Sequence, residues 1–256
     1  MAQGKVYIGT AGFSYRDWLG NLYPQFCPPA DFLKCYSMTF NTVELDSTFY
    51  HIPTSQVLEK WLATTPVGFR FAAKFPRTVT HEGDLKSRLE EAEKYLFVMT
   101  GMSDKLGPLL LQFPPSFTPD RRKDLGEILG LIPRGMRVAV ELRHRDWLTE
   151  EVYSLLKSRE VALCLVECPS MPRMTVRTAD FVYLRFIGDK ADITDDFSYV
   201  RELRKDELDH WIGMVDRFVG EKADIFAFFN NHFSGHAPST ALNFRDRLER
   251  ESKRVS

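Results

Sequence analysis

The sequence predicts an α/β protein, a single (β/α)8 barrel of the TIM type over residues 1–256. Three observations predict it. Eight short apolar runs recur along the chain, amphipathic helical segments alternate with them, and the 256 residues match the roughly 250 typical of that fold. Near-continuous apolar runs describe strands covered on both faces, as in a parallel sheet flanked by helices. No linker, low-complexity tract or internal repeat interrupts the pattern.

In chain order the expected strands are Val6–Gly9, Thr42–Asp46, Arg70–Lys74, Pro108–Phe113, Arg137–Leu142, Val161–Val166, Phe181–Phe186 and Ile225–Asn230. Each has the length and bounding residues of a buried strand. The clearest helix is Asp84–Met102, where Leu85, Leu89, Ala92, Leu96 and Met99 form one apolar stripe and Asp84 is placed to cap it. Asp120–Leu131, Thr149–Ser158 and Lys205–Val219 follow, with Thr149 as a second cap. A last helix is expected from Ser239 to Glu251, and weaker ones at Pro28–Met38 and Thr54–Ala63. Cys168–Thr178 holds two prolines and little room for a helix, so the unit after strand six is irregular. An open doubly wound sheet is the competing architecture, but no Gly-x-Gly-x-x-Gly follows any strand.

The 34 basic and 35 acidic side chains leave a formal charge of -1. That balance argues against a polybasic nucleic-acid binder, whose affinity derives from net cationic charge. No run of about 18 apolar residues suggests a membrane span, and the start of the chain lacks a secretory-signal pattern. Cys27, Cys35, Cys164 and Cys168 form no Cys-x-x-Cys pair and read as reduced cysteines of a cytoplasmic protein.

Barrel enzymes carry their chemistry at the C-terminal ends of strands, and side chains alternate between barrel interior and helix layer. That parity turns Glu44 and Asp46 of strand two inward, with Lys74 of strand three, Gln112 of strand four, Glu141 and Arg143 of strand five and Arg185 of strand seven. Strand eight ends in Asn230-Asn231, between which parity does not choose. Desolvating this many ionisable groups costs several kcal/mol each unless they pair. An internal salt-bridge network is one explanation and a ligand site at the barrel mouth the favoured one. Tyr50 and Trp147 stand just past strand ends, as do Tyr15 and Trp18, as stacking surfaces or loop packing. A metal held by Glu44, Glu141 and a loop histidine is a weaker reading, since no His-x-His or His-Glu-x-x-His spacing occurs.

The strand-end segments taken together resemble the YecE-like family, also catalogued as domain of unknown function 72. The segments are GTAGFSYRDWLGNLYP from Gly9, FNTVELDSTFYHIP from Phe40, FRFAAKFPRTVTH from Phe69, LGPLLLQFPPSF from Leu106, VAVELRHRDW from Val138, FVYLRFIG from Phe181 and FAFFNNHFSGHA from Phe226. The resemblance implies a TIM barrel and no particular activity, substrate or cofactor. The chain departs from the family pattern at Phe13, where Trp is common, and at Asp46, where Asn is common. After Arg185, Phe186-Ile187 stands where Leu-His is common.

Three functions compete. The first is an enzyme acting on a small anionic or phosphorylated substrate, with Glu44, Lys74 and Glu141 catalytic. Asp46, Tyr50, Gln112, Arg143, Trp147, Arg185, Asn230 and Asn231 would then bind substrate. The second is a nucleic-acid-binding or phosphodiester-processing barrel. The third is a non-catalytic ligand-binding barrel. Cofactor and oligomeric state stay open, with a divalent metal as the cofactor to test.

Overall fold

The computed structural model describes residues 4–189 and 192–255. Its strands are β1 Val6–Thr10, β2 Thr42–Leu45, β3 Arg70–Lys74, β4 Leu106–Gln112, β5 Val138–Glu141, β6 Ala162–Glu167, β7 Phe181–Phe186 and β8 Asp224–Phe229. They form one eight-stranded sheet in the order β1-β8-β7-β6-β5-β4-β3-β2, and the registered pairs are parallel. The helices are α1 Phe32–Ser37, α2 Ser55–Thr64, α3 Arg77–Thr80, α4 Leu85–Met99, α5 Arg122–Gly130, α6 Glu150–Ser158, α7 Lys205–Gly220, α8 Asn231–Ser234 and α9 Ala237–Val255. Eight parallel strands alternating with helices in this order are the expected (β/α)8 barrel.

All eight expected strands are present, with ends shifted by a residue or two. Asp84 caps α4 by accepting from the Ser87 amide at 2.8 Å, and Thr149 caps α6 through the Val152 amide. Helix α4 ends at Met99, the last residue of its apolar stripe, and stops short of the expected Met102 because Thr100–Lys105 tightens into a 3-10 turn. No helix occurs between β6 and β7 among the described residues. Lys190 and Ala191 lie outside those residues.

The chain divides into two compact units. The first comprises Met1–Val43, Leu165–Thr175 and Asp180–Ser256 and carries β1, β7 and β8. Here β1 pairs with β8 from Val6↔Ile225 to Thr10↔Phe229, and β8 with β7 from Phe181↔Asp224 to Phe186↔Phe229. Helix α9 covers β1 and β8. The Phe-rich composition goes into this core: Phe186 stacks on Phe229 at 4.1 Å, with Phe233 and Phe244 packed edge-on around them.

Side chains do the work of a ladder beside β1. Asn41 accepts from the Ile8 amide and donates to the Val6 carbonyl at 3.3 and 3.1 Å. The fully buried Tyr36 hydroxyl accepts from the Thr10 amide at 2.9 Å and donates to the Thr42 carbonyl at 3.0 Å. Burial raises the Tyr36 pKa and keeps that proton in place. Gly9 is required beneath it, since a Cβ there would lie 2.2 Å from the Thr42 carbonyl oxygen. Tyr36→Phe strips both backbone groups of this partner. It is expected to cost about 1–3 kcal/mol, read as a lower urea midpoint with unchanged slope.

The second unit comprises Glu44–Cys164 and Val176–Ala179 and carries β3, β4 and β5. Lys74 stands opposite Leu110, and Gln112 opposite Glu141. The β3–β4 ladder continues as Phe75 N–H to Leu110 and the β4–β5 ladder as Phe113 N–H to Glu141, each about one residue past the strand end. The polar residues predicted from sequence thus sit where regular pairing stops.

Candidate functional site at the strand ends

In the second unit β2 ends in Glu44, which is 0 % exposed, and Leu45. The next residue, Asp46, begins the 3-10 turn Ser47–Phe49. Its carboxylate reaches the Lys74 ammonium at 3.5 Å, with the lysine side chain only 12 % exposed. The same ammonium lies 4.5 Å from the centre of the Phe49 ring, a cation–π contact that gains strength out of water. The buried Thr48 hydroxyl holds this arrangement, within 2.9 Å of the Leu45 carbonyl and 2.8 Å of the Lys74 carbonyl.

On β5, Glu141 is 1 % exposed, and its carboxylate accepts from Arg143 Nε at 2.5 Å. The arginine side chain is a third exposed. Beside Glu141, Gln112 donates to the Phe113 carbonyl at 2.9 Å. Glu141 is thus a buried carboxylate paired with a partly exposed arginine.

His81 joins these groups, and the sequence reading did not place it among the site residues. It follows α3, with Nδ1 2.7 Å from the Thr80 hydroxyl and its ring edge-on to Phe49 at 5.1 Å. Its pKa is pushed down to about 4, first by burial and then by Lys74, Arg143, Arg77 and Arg88. Four cations therefore act on one imidazole, which is neutral near pH 7. Arg88 is 3 % exposed and pins the preceding turn by donating from Nε to the Glu82 and Gly83 carbonyls. A sign follows for pH. The unfolded His81, titrating near 6.5, binds more protons than the folded one between about pH 6.5 and 4, so stability falls on acidification through that window. His81→Gln is expected to flatten that fall, measured as urea midpoints at pH 7 and 4.5.

One of the two aromatic candidates has other work. Trp147 is 0 % exposed, stacks on Phe117 at 5.3 Å and donates its indole N–H to the Phe117 carbonyl. In this conformation it presents no face to a ligand. Tyr50 is 68 % exposed, edge-on to Phe49.

In the first unit Arg185 is buried on β7, in register with Phe228. Asn230 caps α8 by accepting from the His232 amide at 3.0 Å. Asn231 is 2 % exposed and accepts from the Trp18 indole and the Ala237 amide at 3.3 and 3.0 Å. Trp18 is itself fully buried. His236, neutral because burial lowers its pKa, is held by Ser239. Glu167, the last residue of β6, was not singled out from sequence. It is buried, takes two hydrogen bonds from Arg173 at 2.6 and 3.0 Å, and a third from the Trp211 indole at 2.6 Å. Its place one step beyond an apolar run was the available signal.

Among the described residues no group of three His, Cys, Asp or Glu side chains is arranged to hold a metal ion. Glu44 and Glu141 thus lack the loop histidine that the metal reading needs. No helix among those residues is long and apolar enough to cross a membrane.

Fold and strand-end chemistry together define the class: a (β/α)8-barrel protein with ion pairs gathered at the C-terminal ends of its strands. Within that class the chain belongs to the DUF72 family, "Protein of unknown function DUF72", whose model matches residues 7–256. It is 27% identical to the UPF0759 protein YunF of Bacillus subtilis, over 96% of this chain and 95% of that protein. It is 28% identical to the UPF0759 protein YecE of Escherichia coli K12, over 77% and 78%. Among solved structures, a DUF72 family protein of Thermotoga maritima is 30% identical with TM-score 0.82, covering 96% of this chain and 99% of that one. Another from Enterococcus faecalis gives 21% and 0.79, covering 97% and 99%, and supports the fold alone.

Proposed function

We propose that this DUF72 protein is an enzyme acting on a small anionic or phosphorylated substrate, bound where β2 to β5 end. The observation that carries this reading is the pairing of Lys74 with Asp46 and of Arg143 with Glu141, with both cations acting on a neutral His81. Lys74 and Arg143 would hold the anion, because a fixed ammonium and a guanidinium fork need no reorganisation to meet it. Glu141, largely out of water, would move the proton, with Glu44 as the second buried carboxylate of the same strand ends. Asp46 would orient Lys74. Gln112, beside Glu141, and Tyr50, on the rim, would contact the rest of the substrate. Arg185, Asn230 and Asn231 are the substrate-binding candidates at the ends of β7 and β8.

The burial of Trp18 and Trp147 favours a small ligand over a nucleic acid, since a base-stacking platform needs exposed aromatic faces. The test is turnover of a panel of phosphate monoesters and small carboxylates by the wild type and by Glu141→Gln, an isosteric change. Wild-type turnover of at least one compound, lost in a folded Glu141→Gln variant, is the expected outcome. An unchanged rate in the variant would remove Glu141 from the chemistry.

A further inference from the structure

Cys27 and Cys35 meet in the first unit, whereas the proposed ion-pair chemistry belongs to the second. Cys27 sits in the turn after the 3-10 segment Arg16–Trp18, its amide bonded to the Pro24 carbonyl at 3.0 Å. Cys35 lies in α1, one helical step before Tyr36. Both are free thiols, Cys27 buried and Cys35 partly exposed, and their sulfurs are 3.4 Å apart. A disulfide needs about 2.05 Å, so bond formation asks for the 3.4 Å between the sulfurs to close by little more than an ångström. By contrast, the Cys168 sulfur faces the Ser170 hydroxyl at 3.4 Å and Cys164 is buried beside Glu141.

We propose that Cys27 and Cys35 are a reversible dithiol–disulfide site, oxidised by hydroperoxides. The partly exposed Cys35 is the attacking residue. Its sulfur, as thiolate, bonds to the distal peroxide oxygen, the O–O bond breaks, and the departing alkoxide or hydroxide takes up the proton that Cys35 released. Cys35 is then a sulfenic acid. The Cys27 sulfur attacks the Cys35 sulfur, the S–O bond breaks, and hydroxide leaves as water with the Cys27 proton. In sum, two thiols and one hydroperoxide give one disulfide, one alcohol or water, and one water. Burial and the neighbouring Cys35 push the Cys27 pKa up to about 11, which disfavours Cys27 as the first attacker.

The bridge would close a loop of nine residues, counted from Cys27 to Cys35, containing Pro28 and Pro29. That loop lies against the ring of Tyr23, which stacks on Phe32 at 4.5 Å and donates its hydroxyl to the Phe13 carbonyl. Oxidation thus stiffens the segment that carries Trp18, the partner of Asn231. The reduced form keeps the same packing with a looser tether.

The test is peptide mapping of the full-length protein after one equivalent of hydrogen peroxide and alkylation of the remaining thiols. Trypsin cuts after Lys34, so the bridge joins two peptides that are otherwise separate. The expected result is an intact-mass loss of about 2 Da before alkylation, the two hydrogens of the thiols, and, after it, that joined pair found with Cys164 and Cys168 alkylated. Dithiothreitol reverses it. The oxidised protein is expected to melt roughly 5 °C higher, as a short loop closed by a disulfide predicts for a chain of this size. In Cys27→Ser, Cys35 is expected to gain oxygen with no bridge. Four alkylated thiols after oxidation of the wild type, or a bridge to Cys164 or Cys168, would overturn the proposal.

Discussion

Lys74→Met is expected to weaken binding of inorganic phosphate by about 30-fold, from loss of a charge-assisted hydrogen bond of about 2 kcal/mol. The side chain is only 12 % exposed, is held by Asp46 at 3.5 Å and lies over Phe49. Its ammonium is therefore already fixed and partly desolvated before any ligand arrives. Methionine keeps most of the side chain's volume and removes the charge. Asp46 then loses its ion pair but stays a third exposed, so stability should change by under about 1 kcal/mol. Isothermal titration with phosphate, next to a urea melt of the same sample, separates these effects. Equal phosphate affinity in the two proteins would move the anion elsewhere.

Arg143→Met is expected to act on both fold and ligand. Here the carboxylate partner, Glu141, is 1 % exposed, so removing the cation strips a strong donor from a buried charge. Breaking such a pair costs about 3 kcal/mol or more, in contrast to the Asp46–Lys74 case. The expected signs are a clearly lower urea midpoint and weaker phosphate binding. A melt unchanged within about 0.5 kcal/mol would mean that Glu141 is held chiefly by other partners. The two substitutions thus distinguish a cation on a partly wet carboxylate from one on a dry carboxylate.

Much of the fold was legible because strands buried on both faces leave unbroken apolar runs. VYIG, RFAAK and FVYLRF each read directly as strands, and a side-chain oxygen at Asp84 or Thr149 announced its helix. The four-residue helices α3 and α8 were not legible, since one turn is too short to show a 3.6-residue period. Their positions depend on the Pro76 turn and on the Asn230 cap.

The site was legible as a set of residue types and not as a set of contacts. Alternation along strands selected Glu44, Lys74, Gln112 and Glu141, and the structure places each of them at or beside a strand end. Whether an aromatic residue beyond a strand end is exposed depends on distant packing. Trp147 is spent on Phe117, 30 residues earlier, and Trp18 on Asn231, 213 residues later. Glu167 finds Trp211 by the same kind of long-range contact. His81 looked like any loop histidine, because the burial that lowers its pKa, and the cations that add to it, come from several elements. The near-zero net charge shows how composition averages away such local fields.

The ends of β2 to β5 are proposed to hold an anion on preset cations, Lys74 and Arg143. The most direct measurement is a crystal structure of the protein soaked in inorganic phosphate. The predicted result is an ordered phosphate within hydrogen-bond distance of the Lys74 ammonium and the Arg143 guanidinium, with Glu141 still paired to Arg143. A well-ordered site without phosphate at those two cations, at a concentration where binding is seen in solution, would contradict it.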